Sequence, residues 1–233
     1  MHWTQLMRSL VGVTLRDEAY RLRWNVTSSG HFSVKSFYLA MQLSNLVPYK
    51  FLWKVKIPLR VKTFLWLVLR KSILTRDVLL HRGGRCEAKC LFCGKNESID
   101  HLFFLCPLAR YIWNVVSSSF GLNCNFSSVG QCISIWLRRY GKKKRNLVAV
   151  GVAAVIWSIW KARNLACFQN KWPDEPHSVI FQVCYWIQHW SSLQVKQKGK
   201  DKLMFCAKLL EKVAREVYGA RRSWTSWTLR LEA

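Results

Sequence analysis

Hydrophobic and polar positions follow two different periods along this chain, and the change of period organises it. Over Trp24-Asn25-Val26-Thr27 the pattern has the strand period of two and runs into Ser28-Ser29-Gly30, a turn signal. Phe32-Ser33-Val34 can return as a second strand, so a small hairpin is expected there. From Lys35 the period lengthens, and Phe37, Tyr38, Met41 and Gln42 through Leu46 predict a helix ending near Pro48. An isolated hairpin is marginal in water, so this N-terminal unit, residues 1–48, needs a partner to pack on.

Helical spacing dominates the rest. Phe51 to Val55 predicts a short helical turn before Ile57-Pro58. Val61, Phe64, Leu65 and Val68 mark one face of the next helix, while Trp66, Leu67 and Leu69 make it apolar nearly all round, the pattern of a central core helix. Thr75 is placed to N-cap a further helix, with Asp77 in its first turn, Arg82 in its last and Gly83-Gly84 as the stop. Beyond Pro107, the spacing of Leu108, Tyr111, Ile112 and Val115 predicts another helix. A Ser/Asn-rich connector covers residues 117–128. Helices are then expected over 129–139 and 147–164, separated by Gly141-Lys142-Lys143-Lys144-Arg145, over 178–190, and over 203–217. The apolar stretch from Leu147 to Trp160 holds 14 residues before Lys161, against the ~20 that span a bilayer. A buried helix, not a membrane span, is the expectation. The segments group as 1–48, 49–116, a helical region 117–195 and a basic tail 196–233. The fold class is mainly α, with a small N-terminal β-hairpin.

Composition sharpens this picture in two ways. Half of the 233 residues are apolar and 13 are Trp, so most of the chain should be packed. The nine cysteines are odd in number, and Cys124, Cys132, Cys167, Cys184 and Cys206 are scattered without pattern. The first twenty residues make a poor secretory segment. A reducing, intracellular setting (nucleus or cytoplasm, not secreted) is therefore expected. The formal net charge of +25 calls for polyanionic partners bound with a steep salt dependence, without choosing between RNA, DNA, anionic lipid and acidic proteins.

Candidate chemistry concentrates in Cys90, Cys93, His101 and Cys106, spaced C-x2-C-x7-H-x4-C. Zinc takes four such ligands in a tetrahedron, and a site filled by four protein ligands is structural. Gly94 allows the sharp turn that a Cys-x-x-Cys knuckle requires. His101 and Cys106 are five residues apart, about 140° on a continuous α-helix, so the helix must end or bend between them. Pro107 makes such a break plausible. Reduced thiols beside a core histidine are the bland alternative, and Cys86 is a rival ligand to Cys90.

Taken together, Phe51-Leu52-Trp53-Lys54, Ile57-Pro58, Val61 to Trp66, Leu74 to Asp77, Cys90 to Cys93, Glu97-Ser98, His101 to Phe104, Cys106-Pro107 and Trp113 resemble a known family. It is the zinc-binding domain downstream of the reverse transcriptase in plant non-LTR (LINE-type) retroelements. Trp24, Ser29-Gly30 and Phe32 to Ser36 are similar to that family's N-terminal stretch, and Ile156 to Asn164 with Phe168 to the segment that follows. The resemblance covers residues 17–170 and implies one structural Zn²⁺ on Cys90, Cys93, His101 and Cys106. It does not imply a polymerase in this chain, where no paired-aspartate strand motif of a reverse transcriptase is found, and the chain looks like a fragment or domesticated remnant of such an element.

Lys54, Lys56, Arg60, Lys62, Arg82, Arg85, Lys89 and Lys95 surround the knuckle in sequence, interleaved with aromatics. They read as a nucleic-acid platform, with cations on phosphates and an exposed ring stacking on an unpaired base. A solvated basic surface over an aromatic core is the alternative. Trp53, Trp66 and Phe103 are expected in the core, and Phe92, between two ligands, is the ring assigned to the platform. RNA is the preferred partner because the family's module accompanies an enzyme that works on its own transcript. The basic run Arg138 to Arg145 is a phosphate contact, an import signal or a solvated loop. No nucleophile elbow, phosphate-binding glycine loop or metalloprotease helix is present, so no enzyme is expected.

Overall fold

The computed structural model describes residues 23–25, 27–36, 49–122 and 125–220. The chain divides into two compact units, Met1–Leu46 and Val47–Ala233.

In the first unit the expected turn is present, closed by a hydrogen bond from the Trp24 N–H to the Gly30 carbonyl at 2.8 Å, with Gly30 at φ 70°. The expected hairpin is not seen among the described residues. Ser33 and Ser36 explain why: the Ser36 N–H donates to the Ser33 hydroxyl oxygen at 3.0 Å, and the Ser33 N–H donates to the Ser36 hydroxyl oxygen at 3.1 Å. This reciprocal box starts a helix at Val34 and removes it from the strand. The predicted helix beyond Ser36 lies outside the described residues.

The second unit is helical. In chain order it comprises α1 (Tyr49–Lys54), α2 (Leu59–Leu69), α3 (Arg76–His81), a single π-helical turn (His101–Leu105), α4 (Pro107–Phe120), α5 (Val129–Arg139), α6 (Lys142–Gln169), α7 (Pro176–Ser191) and α8 (Gln197–Ala220). The face predicted for α2 is the buried one: Val61, Phe64, Leu65 and Val68. Phe64 meets Phe103 at 6.4 Å, Trp157 at 5.1 Å and Trp160 at 5.6 Å between ring centroids, which joins α2, the π-turn and α6 in one aromatic cluster.

Thr75 does occupy the N-cap of α3, but its hydroxyl bonds Asp77 and makes no cap bond. The helix stops where expected. Gly83, at φ 81°, and Gly84 donate their N–H groups to the Leu80 and Leu79 carbonyls, a Schellman closure. A Cβ on Gly84 would lie 2.9 Å from the Leu79 carbonyl oxygen, so glycine is needed there. Ser128 caps α5 as an acceptor from the Gln131 N–H at 3.2 Å.

The largest departure is α6. It runs 28 residues, from Lys142 to Gln169, and takes in the basic run expected to be a loop. By length and composition its Lys144–Gln169 stretch could cross a membrane. Here it is a packed helix whose Ala153, Ala154, Ile159 and Arg163 are nearly inaccessible. α7 lies between α6 and α8, and α8 also runs along α4.

Candidate metal centre

Cys90 and Cys93 come from a tight turn. Lys89 and Asn96 pair as an isolated antiparallel bridge, the Cys90 N–H donates to the Lys95 carbonyl at 2.6 Å, and the Gly94 N–H donates to the Cys90 carbonyl at 2.9 Å. Gly94 supplies the left-handed residue, at φ 70°, that lets the chain reverse within this span.

His101 and Cys106 come from the π-turn. The Cys106 N–H donates to the His101 carbonyl at 2.7 Å, an i→i+5 bond. A turn widened in this way rotates less per residue than an α-helix, so a five-residue interval returns toward the same face. The bend that the spacing demands thus precedes Pro107, which opens α4 at its first position. The Trp113 indole N–H donates to the Phe103 carbonyl at 2.7 Å, and the Ser98 hydroxyl oxygen accepts from the His101 N–H at 3.1 Å.

As a result the four ligand atoms lie within 4.8 Å of one another. The Cys90 and Cys106 sulfurs are 3.9 Å apart, and the Cys93 sulfur is 3.1 Å from His101 Nε2. A tetrahedron with Zn–S bonds of ~2.3 Å has edges of about 3.8 Å, so the donor set fits one ion of that kind. Cys90, His101 and Cys106 are buried and Cys93 is half-buried. The hydrogen bond with Cys106 pulls the Cys90 thiol down to about 4 against the opposing effect of burial. The same bond and burial push Cys106 up, and burial pushes Cys93 up. A divalent cation at the centre of the cluster would favour the thiolate form of all three cysteines. Cys86, the rival on spacing, is exposed and outside this group, its sulfur 3.9 Å from the Arg76 carbonyl oxygen.

Two acids flanking the cluster tie it to distant helices, and the sequence reading missed both. Glu97 Oε1 accepts from Arg163 Nη2 at 2.8 Å, with both side chains essentially buried. Arg163 Nε lies 3.4 Å from Oε2, and the Arg76 N–H at the start of α3 also donates to Oε1, at 3.0 Å. Asp100 accepts from the Val129 N–H at 3.0 Å, capping α5, and pairs with Lys71 at 3.5 Å. Glu97 and Arg163 both stand in the motifs quoted above. Nothing in a single sequence connects residues 66 apart, although an acid inside a Cys/His motif is a signal.

The basic residues around the knuckle divide. Lys54, Lys56, Arg82, Arg85, Lys89 and Lys95 are exposed. Lys62 turns back to donate to the Trp53 carbonyl at 3.0 Å, and the Arg60 guanidinium lies over the Trp157 ring at 5.9 Å. Phe92, the ring assigned to the platform, is instead 3 % exposed and meets the Trp172 ring at 6.1 Å. The Cys90–Gly94 turn folds that side chain under itself, into the core. Conversely Trp53, expected in the core, is 45 % exposed at the end of the six-residue α1. Trp66 is half-buried beneath Arg70, and Phe103 is fully buried.

Comparison with known proteins bears on these residues. Residues 32–113 match the family described as zinc-binding in reverse transcriptase. Over 101 residues the chain is 37 % identical to an Arabidopsis thaliana protein described as "Putative ribonuclease H protein". That match covers 40 % of this chain and 16 % of the relative's length. No solved structure matches.

Proposed function

We propose, taking residues 32–113 as a zinc-binding segment of the reverse transcriptase family, that this chain is a non-catalytic module of retroelement origin. It holds one structural Zn²⁺ on Cys90, Cys93, His101 and Cys106 and binds nucleic acid, with RNA preferred. The observation that carries the reading is the closed donor set. Four convergent protein ligands leave no coordination position for water or substrate, so the ion acts as a folding staple. With three thiolates and a neutral imidazole the loaded site has a net charge of −1, among the exposed Arg82, Arg85, Lys89 and Lys95. Those residues, with Lys54 and Lys56, offer a phosphate-binding surface. Trp53 replaces Phe92 as the ring available for stacking.

The ribonuclease H description belongs to the relative. In this chain Asp201, Glu211 and Glu216 stand on α8, bonded to Gln197, Arg215 and Lys212 respectively. That arrangement supports the non-catalytic reading, since two-metal hydrolysis needs carboxylates converging on the ions. A second reading, a structural or protein-interaction module or a remnant without a role, is favoured by Lys62, which turns back onto the Trp53 carbonyl. A titration of single-stranded RNA by fluorescence anisotropy at about 50 and about 200 mM salt separates the two. The proposal predicts an affinity that falls about a hundredfold across that range. Weak binding with little salt dependence supports the second reading.

A further inference from the structure

We infer that α8 carries a second, aromatic-centred contact surface for single-stranded nucleic acid, outside the family-matched residues. The inference rests on the nucleic-acid reading above and gives it a place on the molecule.

Lys198, Lys202, Phe205 and Lys212 recur at intervals of four, three and seven, so they fall within about 80° of one another around the helix. All four are exposed, and Phe205 is 66 % exposed. The opposite side of α8 is already used: Leu203, Ala207, Leu210 and Ala214 are buried. The stripe therefore faces outward, and from Lys198 to Lys212 it extends about 21 Å along the helix. An exposed phenylalanine costs solvation unless something covers it, and here the ring is flanked along the helix by lysines and stands at the edge of an apolar cavity lined by Val183, Ile187 and Leu210. That alternation is what a strand of nucleic acid requires: charges to hold successive phosphates and a flat ring on which an unpaired base stacks.

Neighbouring elements extend the surface. Lys202, Phe205 and Lys144 of α6 line one cavity of about 320 Å³ between α4, α6, α7 and α8, and a Cβ on Gly199 would lie 3.8 Å from Leu147, so the second turn of α6 adjoins the first turn of α8. The Gln194 side chain, just before α8, donates to the Lys56 carbonyl at 3.0 Å. The loop carrying Lys56 is thereby held beside the start of α8. A basic helix with an exposed ring could also meet an anionic membrane. Interfacial helices, however, insert a broad apolar face, and the apolar face of α8 is packed inward. Among its described side chains, Phe205 and Met204 are the large apolar ones it leaves exposed.

The test uses the full chain and a single-stranded U-rich RNA oligonucleotide in fluorescence-anisotropy titrations over a range of salt. Phe205→Ala should weaken binding about fivefold or more with an unchanged salt slope. The triple variant Lys198→Gln, Lys202→Gln, Lys212→Gln should lower the log–log salt slope by about 2. Circular dichroism of both variants should match the unaltered chain, since the substituted side chains are exposed. If the unaltered chain binds with its steep salt dependence and both variants bind identically to it, the α8 surface is refuted while the nucleic-acid reading stands. If the unaltered chain does not bind RNA, the nucleic-acid reading falls and this inference with it. If the variants lose binding only to vesicles containing phosphatidylserine, the surface belongs to a membrane and the inference is overturned.

Discussion

Glu97 accepts hydrogen bonds from Arg163 and from the first N–H of α3, so one side chain adjoining the Cys/His cluster secures two helices. Removing one partner of such a pair strands the other as a buried charge, which costs about 3–5 kcal/mol. Arg163→Met should therefore lower the unfolding free energy by that amount in urea titration, and the double variant Glu97→Leu, Arg163→Met should recover much of it. An unchanged midpoint in Arg163→Met would show the pair to be dispensable. The cysteines separate by the same logic of burial. Burial pushes the Cys184 thiol up to about 12, so at pH 8 it stays protonated and unreactive, whereas Cys86 is exposed. Iodoacetamide at pH 8, followed by mass spectrometry, should modify Cys86 and spare Cys184. At this scale the sequence was informative about residue type and poor about direction. It marked Phe92 and Trp53 as notable rings and reversed their exposure, because which way a side chain points depends on a turn and on a helix end that spacing does not fix.

Elements were more legible. The faces of α2 and α4 follow from apolar spacing, and α5 has the predicted bounds, because amphipathic periodicity and a serine cap are local signals. The N-terminal hairpin failed on an equally local signal, the Ser33–Ser36 box, which competes with the strand period. The π-turn was visible only as a requirement. Five residues between His101 and Cys106 demanded a bend, while its form depends on a Trp113 indole that arrives from the next helix. Trp113→Phe keeps a ring but removes the donor to the buried Phe103 carbonyl, at a cost of about 1–3 kcal/mol. It should loosen the turn and raise the rate at which a chelator strips zinc, while a rate equal to that of the unaltered chain would sever that link. Gly94→Ala tests the other half of the knuckle. Nothing lies within 4 Å of the added methyl, so its effect is the backbone strain at φ 70°, about 1–2 kcal/mol. Zinc affinity should fall several-fold in competition with a chromogenic chelator, and an unchanged affinity would show that the turn relaxes without strain.

On the scale of the whole molecule, the cluster is the junction of a helical unit that continues past the family-matched segment. α3, α5 and α6 are bonded to it through Glu97 and Asp100, and the α2–α6 aromatic contacts lie beside it. The sequence showed the charge and the Cys/His spacing but not this junction, because long-range ion pairs leave no period. Zinc is accordingly expected to stabilise the fold as well as occupy a site. The most direct test is elemental analysis of the purified chain beside Cys93→Ser and His101→Ala. The proposed zinc site predicts one zinc per chain in the first, and in the variants loss of stoichiometric zinc with loosening of residues 84–115 in hydrogen exchange. Full zinc retention in both variants, or a folded chain that binds no zinc, would contradict it.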